Sequence, residues 1–424
     1  MRTGVQNRQT DAYALPFVLV TSLFLLWGVA NNMNDTLLAA FKRIMSMSDL
    51  QTSLVQFAFF GSYFCFALPA AFFIRKYSYK SGIILGLSLY AVGTILFTPA
   101  GNTGSYPFYL FAIYVMAGGC SILETTANPL ILSMGTPETA TRRLNIAQIF
   151  MPVGAIIGIL LSRHFILGQL NSADALERSN MSAEILAGVQ RNEFDAISGT
   201  YMLIGITLIA LMFVILCISM PSDRDTSKIN VPVKVLARAL WKKSRYRYGV
   251  IAQFFYVGAQ TGVWSFTIRL AMSQLSVREA AASDYFLCSI IAFTLCRFIF
   301  TMLMKYFSPA KLMALASVGA IACSMTVILS HGLTAVIALV CISAFMSLMF
   351  PTIYGIALDG IGGGEAKLAS SGMIMSIVGG ALITPLQGLV SDLTGNISTS
   401  FFVPLVCFLV ILTYSLVVIN APRR

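Results

Sequence analysis

The chain has 424 residues, of which 57% are hydrophobic and only 11% are charged. A soluble domain carries about 25% charged residues, so this composition excludes a soluble globular protein. The formal net charge of +11 would suit a nucleic-acid-binding protein, but the positions of the positive residues, described below, argue against that class.

Twelve apolar stretches along the chain are each long enough to cross a bilayer, which takes about 20 residues. They lack the alternation of barrel strands and are too long for them, so they are predicted to be helices. The predicted spans 1 to 12 are residues 15–41, 53–74, 82–100, 106–133, 144–168, 199–220, 248–272, 284–304, 311–330, 334–357, 368–388 and 400–420. The sequence therefore predicts an all-α membrane protein with twelve transmembrane helices.

A polar and basic connection separates the first six predicted spans from the last six. This pattern predicts two six-helix bundles, residues 1–220 and 248–424, joined by a cytoplasmic linker, residues 221–247. Pro129 in span 4 and Pro351 in span 10 lie at similar places in the two halves, which indicates an internal repeat.

Two further features of this region and of span 5 carry structural expectations. The linker stretch "VKVLARALWKK" is either an amphipathic helix lying on the inner leaflet, with Trp241 at the interface, or a disordered tether. Gly154 and Gly158 in span 5 are four residues apart, so they share a helix face and are predicted to let a neighbouring helix approach closely.

Lys and Arg are distributed unequally between the two sides of the predicted membrane. With both termini in the cytoplasm, most of the 28 Lys and Arg residues lie on the cytoplasmic side, as the positive-inside rule requires. This accounts for the net charge without nucleic acid and predicts a multi-pass protein of a bacterial inner membrane. The only two histidines, His164 and His331, lie near span ends without an acid nearby, so we expect no enzyme activity, cofactor or metal.

Three ionisable residues stand out within the predicted spans: Asp35, Glu124 and Arg297. A charge at a helix centre costs about 2.5–3.5 kcal/mol on insertion scales, so each needs a reason. Glu124 lies deep in span 4 with no Lys or Arg on the same helix, which favours a proton carrier over a structural carboxylate. Asp35 either shares that role or marks the outer end of span 1. For Arg297 we expect bonds to backbone or acids, in a structural or gating role.

Polar side chains within the spans are candidates for a binding site. Four of them form a polar belt within about one turn of span 1: Asn31, Asn32, Asn34 and Asp35. The others are Asn128, Asn145, Gln148, Gln253, Tyr256, Gln260 and Trp264. Gln253, Tyr256 and Gln260 share one helix face. Amides bond hydroxyl groups and aromatic rings cover apolar C–H faces, so the set suits a sugar. The alternative is a hydrogen-bonded seam between helices.

Several runs of residues resemble the major facilitator superfamily and, within it, the fucose–proton symporter family. They include "FLLWGVANNMNDTLL", "FFGSYF", "LETTANP", "RLNIAQ", "AQFFYVGAQTGVWS", "SAFMSLMFPTI" and "GLVSDLTGNI". The resemblance covers both halves and implies the major facilitator fold, with two pseudo-symmetric six-helix bundles. It also implies sugar uptake driven by protons, with the two acids of the family falling on Asp35 and Glu124.

The chain departs from the L-fucose pattern at three positions. Met151 replaces an asparagine, and Met349 and Phe350 replace a Gln-Tyr pair. Lost hydrogen-bond partners change substrate choice strongly, so L-fucose is only the first expectation. Uptake of glucose or galactose, coupled to sodium or to protons, is an alternative.

The chemistry of the spans leaves two other classes as alternatives: a membrane sugar sensor that does not transport, and a drug–proton exporter. The partners that we expect are a neutral monosaccharide, a proton and the lipid bilayer, with no nucleic acid and a monomeric protein.

Overall fold

The computed structural model describes residues 2–45, 47, 49–171, 177–178, 180–218, 233–277 and 279–420. Within these ranges, some side chains lie outside the description, namely those of residues 2–14, 31, 34–36, 38–39, 42–43, 49–53, 163, 167, 233 and 279–280. The described residues form helices and contain no strand. The prediction of an all-α protein is therefore confirmed.

Seventeen α-helices are described, numbered here in chain order. The first eight are α1 (Arg2–Ile44), α2 (Asp49–Lys76), α3 (Tyr79–Ile95), α4 (Phe97–Thr103), α5 (Tyr106–Ser133), α6 (Ala140–Gln148), α7 (Phe150–Leu161) and α8 (Ala183–Cys217). The remaining helices are α9 (Val233–Lys242), α10 (Ser244–Leu275), α11 (Glu279–Leu303), α12 (Pro309–Leu329), α13 (Gly332–Met346), α14 (Met349–Ala357), α15 (Gly363–Met375), α16 (Gly379–Thr394) and α17 (Phe402–Asn420). Single π or 3₁₀ turns are Pro137–Thr139, Ser162–Ile166, Leu167–Gln169, Ser376–Val378 and Thr399–Phe401.

The predicted spans correspond to these helices. Among the described residues, ten helical stretches are long and apolar enough to cross a membrane, and Leu15–Ala30 within α1 is a shorter apolar stretch. The 32-residue helix α10 supplies a further crossing, so the prediction of twelve spans is confirmed. Spans 3, 5, 10 and 11 each consist of two consecutive helices with a break between them.

Residue contacts divide the chain into two compact units. The first unit is Met1–Ala127 with Val153–Arg224, and the second is Asn128–Pro152 with Asp225–Arg424. The segment 128–152, which comes from the first half of the sequence, therefore packs with the second unit. One reason is the close approach of α6 to α14, where a Cβ added to Gly355 would lie 2.6 Å from the Thr141 hydroxyl oxygen. The predicted division at residues 221–247 stays a prediction.

In the first unit, α7 packs tightly against α1. A Cβ added to Gly158 would lie 2.8 Å from the Val29 carbonyl oxygen, and one added to Gly154 would overlap the Leu25 carbonyl. The backbone of α1 cannot move away as a flexible side chain can. At these distances it therefore leaves no room for a side chain at either glycine position. The predicted close approach of a helix at this glycine pair is confirmed.

The linker stretch forms helix α9, so the tether interpretation is wrong for residues 233–242. Leu236 and Leu240, four residues apart, are buried, and α9 contacts α10 and α15. The predicted amphipathic helix is present, with its two leucines packed against the protein, and the placement of Trp241 at the membrane interface stays a prediction. Trp241 is half exposed on another side of the helix.

A buried ion pair in the first unit fastens the segment before α8 to that helix. The Arg178 guanidinium donates two hydrogen bonds to the Glu193 carboxylate, one of them over 3.0 Å from Nη1 to Oε2. The Asn171 backbone N–H also donates to Glu193 Oε1, at 2.9 Å. Hydrogen bonding to Glu193 raises the pKa of Arg178. Both side chains are almost fully buried, so each charge depends on the other.

We expect Glu193→Gln to lower the free energy of unfolding by about 3–5 kcal/mol, since removing one partner leaves a buried charge uncompensated. The measurement is the thermal unfolding midpoint of the purified protein in detergent. Glu184→Gln is the matched control, because Glu184 is exposed in the first turn of the same helix. Equal midpoints for the two variants would contradict the role of the ion pair.

Candidate functional site

Glu124 lies within α5 of the first unit, in a stretch without other charges, and only 5% of its surface is exposed. Its Oε2 atom has no hydrogen-bond partner in the described part of the chain. The ion pairs found among the described residues do not include it. A structural ion pair of Glu124 is therefore absent from the described residues, and its predicted role as a proton carrier stays a prediction.

Aromatic residues from α1 and α2 lie near Glu124. The carboxyl group interacts electrostatically with the Tyr63 hydroxyl and the Cys120 thiol. The indole Nε1 of Trp27 donates to Tyr63 Oη over 2.8 Å, and Phe24 stacks on Trp27 with ring centroids 5.3 Å apart. Trp27 and Tyr63 could not be identified from the sequence, because aromatic residues within apolar spans give no signal that separates them from the core.

The polar belt of span 1 is described only in part. Its backbone continues helix α1, and Asn32 Nδ2 donates to the Gly28 carbonyl at 3.3 Å. The side chains of Asn31, Asn34 and Asp35 lie outside the described residues. The roles predicted for them remain predictions.

In the second unit, the end of α5 and helices α6 and α14 form a buried amide cluster. Gln148 Nε2 donates to Asn128 Oδ1 over 3.0 Å, and Asn145 Nδ2 donates to Thr352 Oγ1 over 3.3 Å. Three atoms of this cluster have no partner among the described residues: Asn128 Nδ2, Asn145 Oδ1 and Gln148 Oε1. Because buried polar atoms are nearly always hydrogen-bonded, these atoms mark a place for water or a polar ligand.

The polar stripe on α10 has two different parts. Tyr256 donates its hydroxyl to the Met346 carbonyl at 3.1 Å, and Trp264 Nε1 donates to Ser343 Oγ at 3.3 Å, so both side chains are bonded to α13. Gln253 is fully buried, and neither its Nε2 nor its Oε1 has a partner among the described residues. Gln260 is half-buried. The stripe therefore combines a seam between helices with one free amide.

Arg297 on α11 is buried and bonds to the breaks of spans 5 and 10. Its Nε donates to the Ser347 carbonyl at 2.6 Å, between α13 and α14, and its Nη1 donates to the Gln148 carbonyl at 2.8 Å, where α6 ends. The guanidinium also lies 4.6 Å from the ring centroid of Phe293. The last carbonyl groups of a helix have no N–H donor within that helix. Arg297 donates hydrogen bonds to such carbonyl groups at the ends of α6 and α13.

The two prolines predicted to matter differ in position within their helices. Pro129 lies inside α5, and Pro351 lies in the first turn of α14, where the missing N–H removes no helical hydrogen bond. A polar residue that the sequence analysis missed is Gln387 on α16, which is fully buried with Oε1 unpartnered among the described residues. Its signal was a lone amide in an apolar span.

Comparison with known proteins decides the family. Residues 17–385 match the family model of the Major Facilitator Superfamily. The chain belongs to the Major Facilitator Superfamily. The predicted membership is thereby confirmed, and this member of the superfamily is a multi-pass membrane protein.

Relatives of this Major Facilitator Superfamily chain are named as transporters. It is 39% identical over 413 residues to the L-fucose-proton symporter of Haemophilus influenzae, covering 95% of this chain and 96% of that protein. The L-fucose-proton symporter of Escherichia coli is 36% identical, with coverage of 96% and 94%. A glucose/galactose transporter of Brucella abortus is 32% identical, with coverage of 98% and 97%. The resemblance to the fucose–proton symporters is confirmed.

A solved structure supports the same assignment. The crystal structure of a Major Facilitator Superfamily transporter, FucP, in the outward conformation matches with a TM-score of 0.88 at 35% sequence identity. The match covers 96% of this chain and 99% of that chain. The major facilitator fold predicted from the resemblance is confirmed.

The thermal unfolding midpoint of the Gln253→Leu variant shows whether the Gln253 amide is needed for the stability of the fold. Without ligand, we expect the variant to unfold at the same temperature as the parent or higher, because it removes a buried amide that has no partner. Gln274→Leu on the same helix is the control. Gln274 donates to Ser398 Oγ at 2.9 Å and accepts from the Gly332 N–H at 2.8 Å, so its loss should lower the midpoint. A lower midpoint for Gln253→Leu would assign Gln253 to the structure alone.

Proposed function

We propose that this chain is a proton-coupled importer of a neutral monosaccharide, with L-fucose as the first candidate. It works by alternating access in a bacterial inner membrane, with both termini in the cytoplasm. The observation that carries the proposal is Glu124, a buried carboxyl group without a described cationic partner. The similarity to two L-fucose-proton symporters over nearly the whole chain supports it.

Glu124 acts as the proton carrier. An ionised carboxylate buried without a cation is destabilised by several kcal/mol, whereas the neutral acid is tolerated. With sugar bound, the site therefore closes to water only after Glu124 has taken up a proton, and the sugar and the proton are then released together on the other side. Asp35, the second predicted acid, shares this task. Coupling follows because the form that carries sugar without a proton cannot close.

The amides of the second unit hold the sugar. The unpartnered atoms of Asn128, Asn145 and Gln148 and the free amide of Gln253 offer both donors and acceptors to hydroxyl groups. Trp264 offers a half-buried aromatic ring. Amides and an aromatic ring suit a neutral ligand rich in hydroxyl groups. Gln260 adds an amide of the same unit. The roles predicted for Asn31, Asn32 and Asn34, in the first unit, remain predictions.

Glucose or galactose is the second candidate substrate, with sodium as an alternative coupling ion. The relative from Brucella abortus is named a glucose/galactose transporter. Met349 is buried and Phe350 half-buried at the start of α14, next to the break that Arg297 holds. Apolar side chains at these positions and at Met151 offer no hydrogen bond to a hydroxyl group, which changes which sugar is bound best.

Uptake into vesicles identifies the substrate and the ion. L-Fucose, D-glucose and D-galactose are compared under an imposed pH gradient and, separately, an imposed sodium gradient. A proton symporter concentrates one sugar under the pH gradient alone, and adding that sugar makes the medium more alkaline. A sensor gives neither signal, and a drug–proton exporter moves protons in the opposite sense.

Glu124→Gln is expected to abolish accumulation of sugar against its gradient, because the amide is neutral and carries no exchangeable proton at this position. Sugar binding and sugar exchange should persist. Accumulation and exchange are measured in vesicles with an imposed pH gradient, and Glu184→Gln serves as the control. A Glu124→Gln variant that still concentrates sugar would overturn the proposed proton carrier.

Arg297 keeps the breaks of spans 5 and 10 in one arrangement and so acts in gating. Arg297→Lys retains the charge but cannot place separate donors on both carbonyls. Loss of one charge-assisted hydrogen bond of about 1.5–3 kcal/mol should lower kcat about tenfold or more while KM changes little. Arg269→Lys, at an exposed arginine of the same unit, is the control. A change in KM alone would instead indicate contact with the sugar.

A further inference from the structure

Helix α9 has an exposed basic face that does not pack against the described helices. Lys234, Arg238 and Lys242 are spaced by four residues, so they form one stripe, on the side opposite the buried Leu236 and Leu240. All three basic side chains are exposed. None has an ion-pair or hydrogen-bond partner among the described residues.

The basic residues immediately after this stripe are engaged with acids. Lys243 pairs with Glu365 at 2.9 Å, and Arg245 pairs with Asp359 at 3.0 Å. These contacts join the start of α10 to the first turn of α15 and to the loop before it. The acids of this corner are therefore bound to other cations, and the stripe on α9 points away from the helices that α9 packs against.

The position of Trp241 indicates that the stripe lies near the membrane–water interface. It precedes the first residue of α10 by three positions and is 50% exposed. Val235, on the same side of α9, is also exposed. An exposed indole beside the start of a membrane span is typical of the interface between lipid headgroups and acyl chains. Cations at this depth lie at the level of phosphate groups.

We propose that the basic stripe of α9 binds anionic phospholipid headgroups in the leaflet at this end of α10. The three cations match the negative charge of the headgroups, and Trp241 inserts its ring at the interface. A Lys or Arg held near an anionic surface raises binding about fivefold. The contact fixes α9 between the membrane surface and α15, and it is independent of the sugar and ion that are carried.

Tryptophan fluorescence tests this contact directly in the full chain. The chain has three tryptophans, and Trp27 is buried within the first unit while Trp264 is half-buried in the second. The difference between the parent protein and Trp241→Phe isolates the emission of Trp241. The protein is reconstituted in phosphatidylcholine vesicles that contain equal fractions of either brominated phosphatidylglycerol or brominated phosphatidylcholine, since bromine quenches only an indole in contact. We expect phosphatidylglycerol to quench Trp241 at least about fivefold more effectively, and salt to reduce the difference.

A charge variant identifies the residues responsible. In Lys234→Gln/Arg238→Gln/Lys242→Gln, the two brominated lipids should quench Trp241 equally. Lys305→Gln/Lys311→Gln is the matched control, because these lysines are exposed near the connection between α11 and α12 and should leave the preference intact. Thermal unfolding midpoints check that both variants are folded.

Two results would overturn the proposal. The first is equal quenching of Trp241 by both lipids in the parent protein, or a preference that survives in the triple variant. The second is that aqueous iodide quenches Trp241 and neither brominated lipid does. In that case the stripe faces water, where it could bind an acidic protein partner. The comparison of lipids in the parent protein decides the question even if the triple variant fails to fold.

Discussion

Polar atoms buried in a membrane protein need partners, and the hydrogen bonds of Arg297 show how far this chain goes to supply them. Its guanidinium donates to carbonyl oxygens at the ends of α6 and α13, where two spans break. Elsewhere, Arg143 donates to the Ile131 and Leu132 carbonyls at the end of α5, and Lys80 donates to the carbonyls of Leu216 and Ile218 at the end of α8. Long cationic side chains thus complete helix ends that have no helical donor. At the breaks of spans 5 and 10, Arg297 provides these donors.

The atoms left without partners are therefore informative. They include a carboxyl oxygen of Glu124 in the first unit and amide atoms of Asn128, Asn145, Gln148 and Gln253 in the second. Buried polar atoms are nearly always hydrogen-bonded, so these atoms are candidates for contact with a ligand. A transported proton would bind the carboxyl oxygen, and the hydroxyl groups of a sugar would bond to the amide atoms. The proposed function therefore rests on the buried atoms that have no partner.

Exposed cations near the start of α10 also differ in whether they have a partner. Lys243 and Arg245 have acidic partners within the protein, whereas the basic stripe of α9 has none among the described residues. The stripe follows from two constraints that act together on one short helix. Leu236 and Leu240 fix which side faces the protein, and the four-residue spacing of the cations then places them all on the opposite side.

The sequence by itself determined the features that depend on local composition. Apolar length predicts the spans, because each segment must satisfy its own backbone within the bilayer. A lone acid such as Glu124 stands out for the same reason. The glycine pair of span 5 predicted a close helix approach, because its spacing is a property of one helix.

Only the tertiary structure decided which polar groups are paired. Gln253, Tyr256 and Trp264 look alike as a stripe, yet Tyr256 and Trp264 are bonded to α13 and Gln253 is free. The grouping of residues 128–152 with the second unit and the packing of α9 on α15 are also invisible in the sequence. These features depend on contacts between residues far apart in the chain, and hydrophobic periodicity records only which face of a helix is buried, not what covers it.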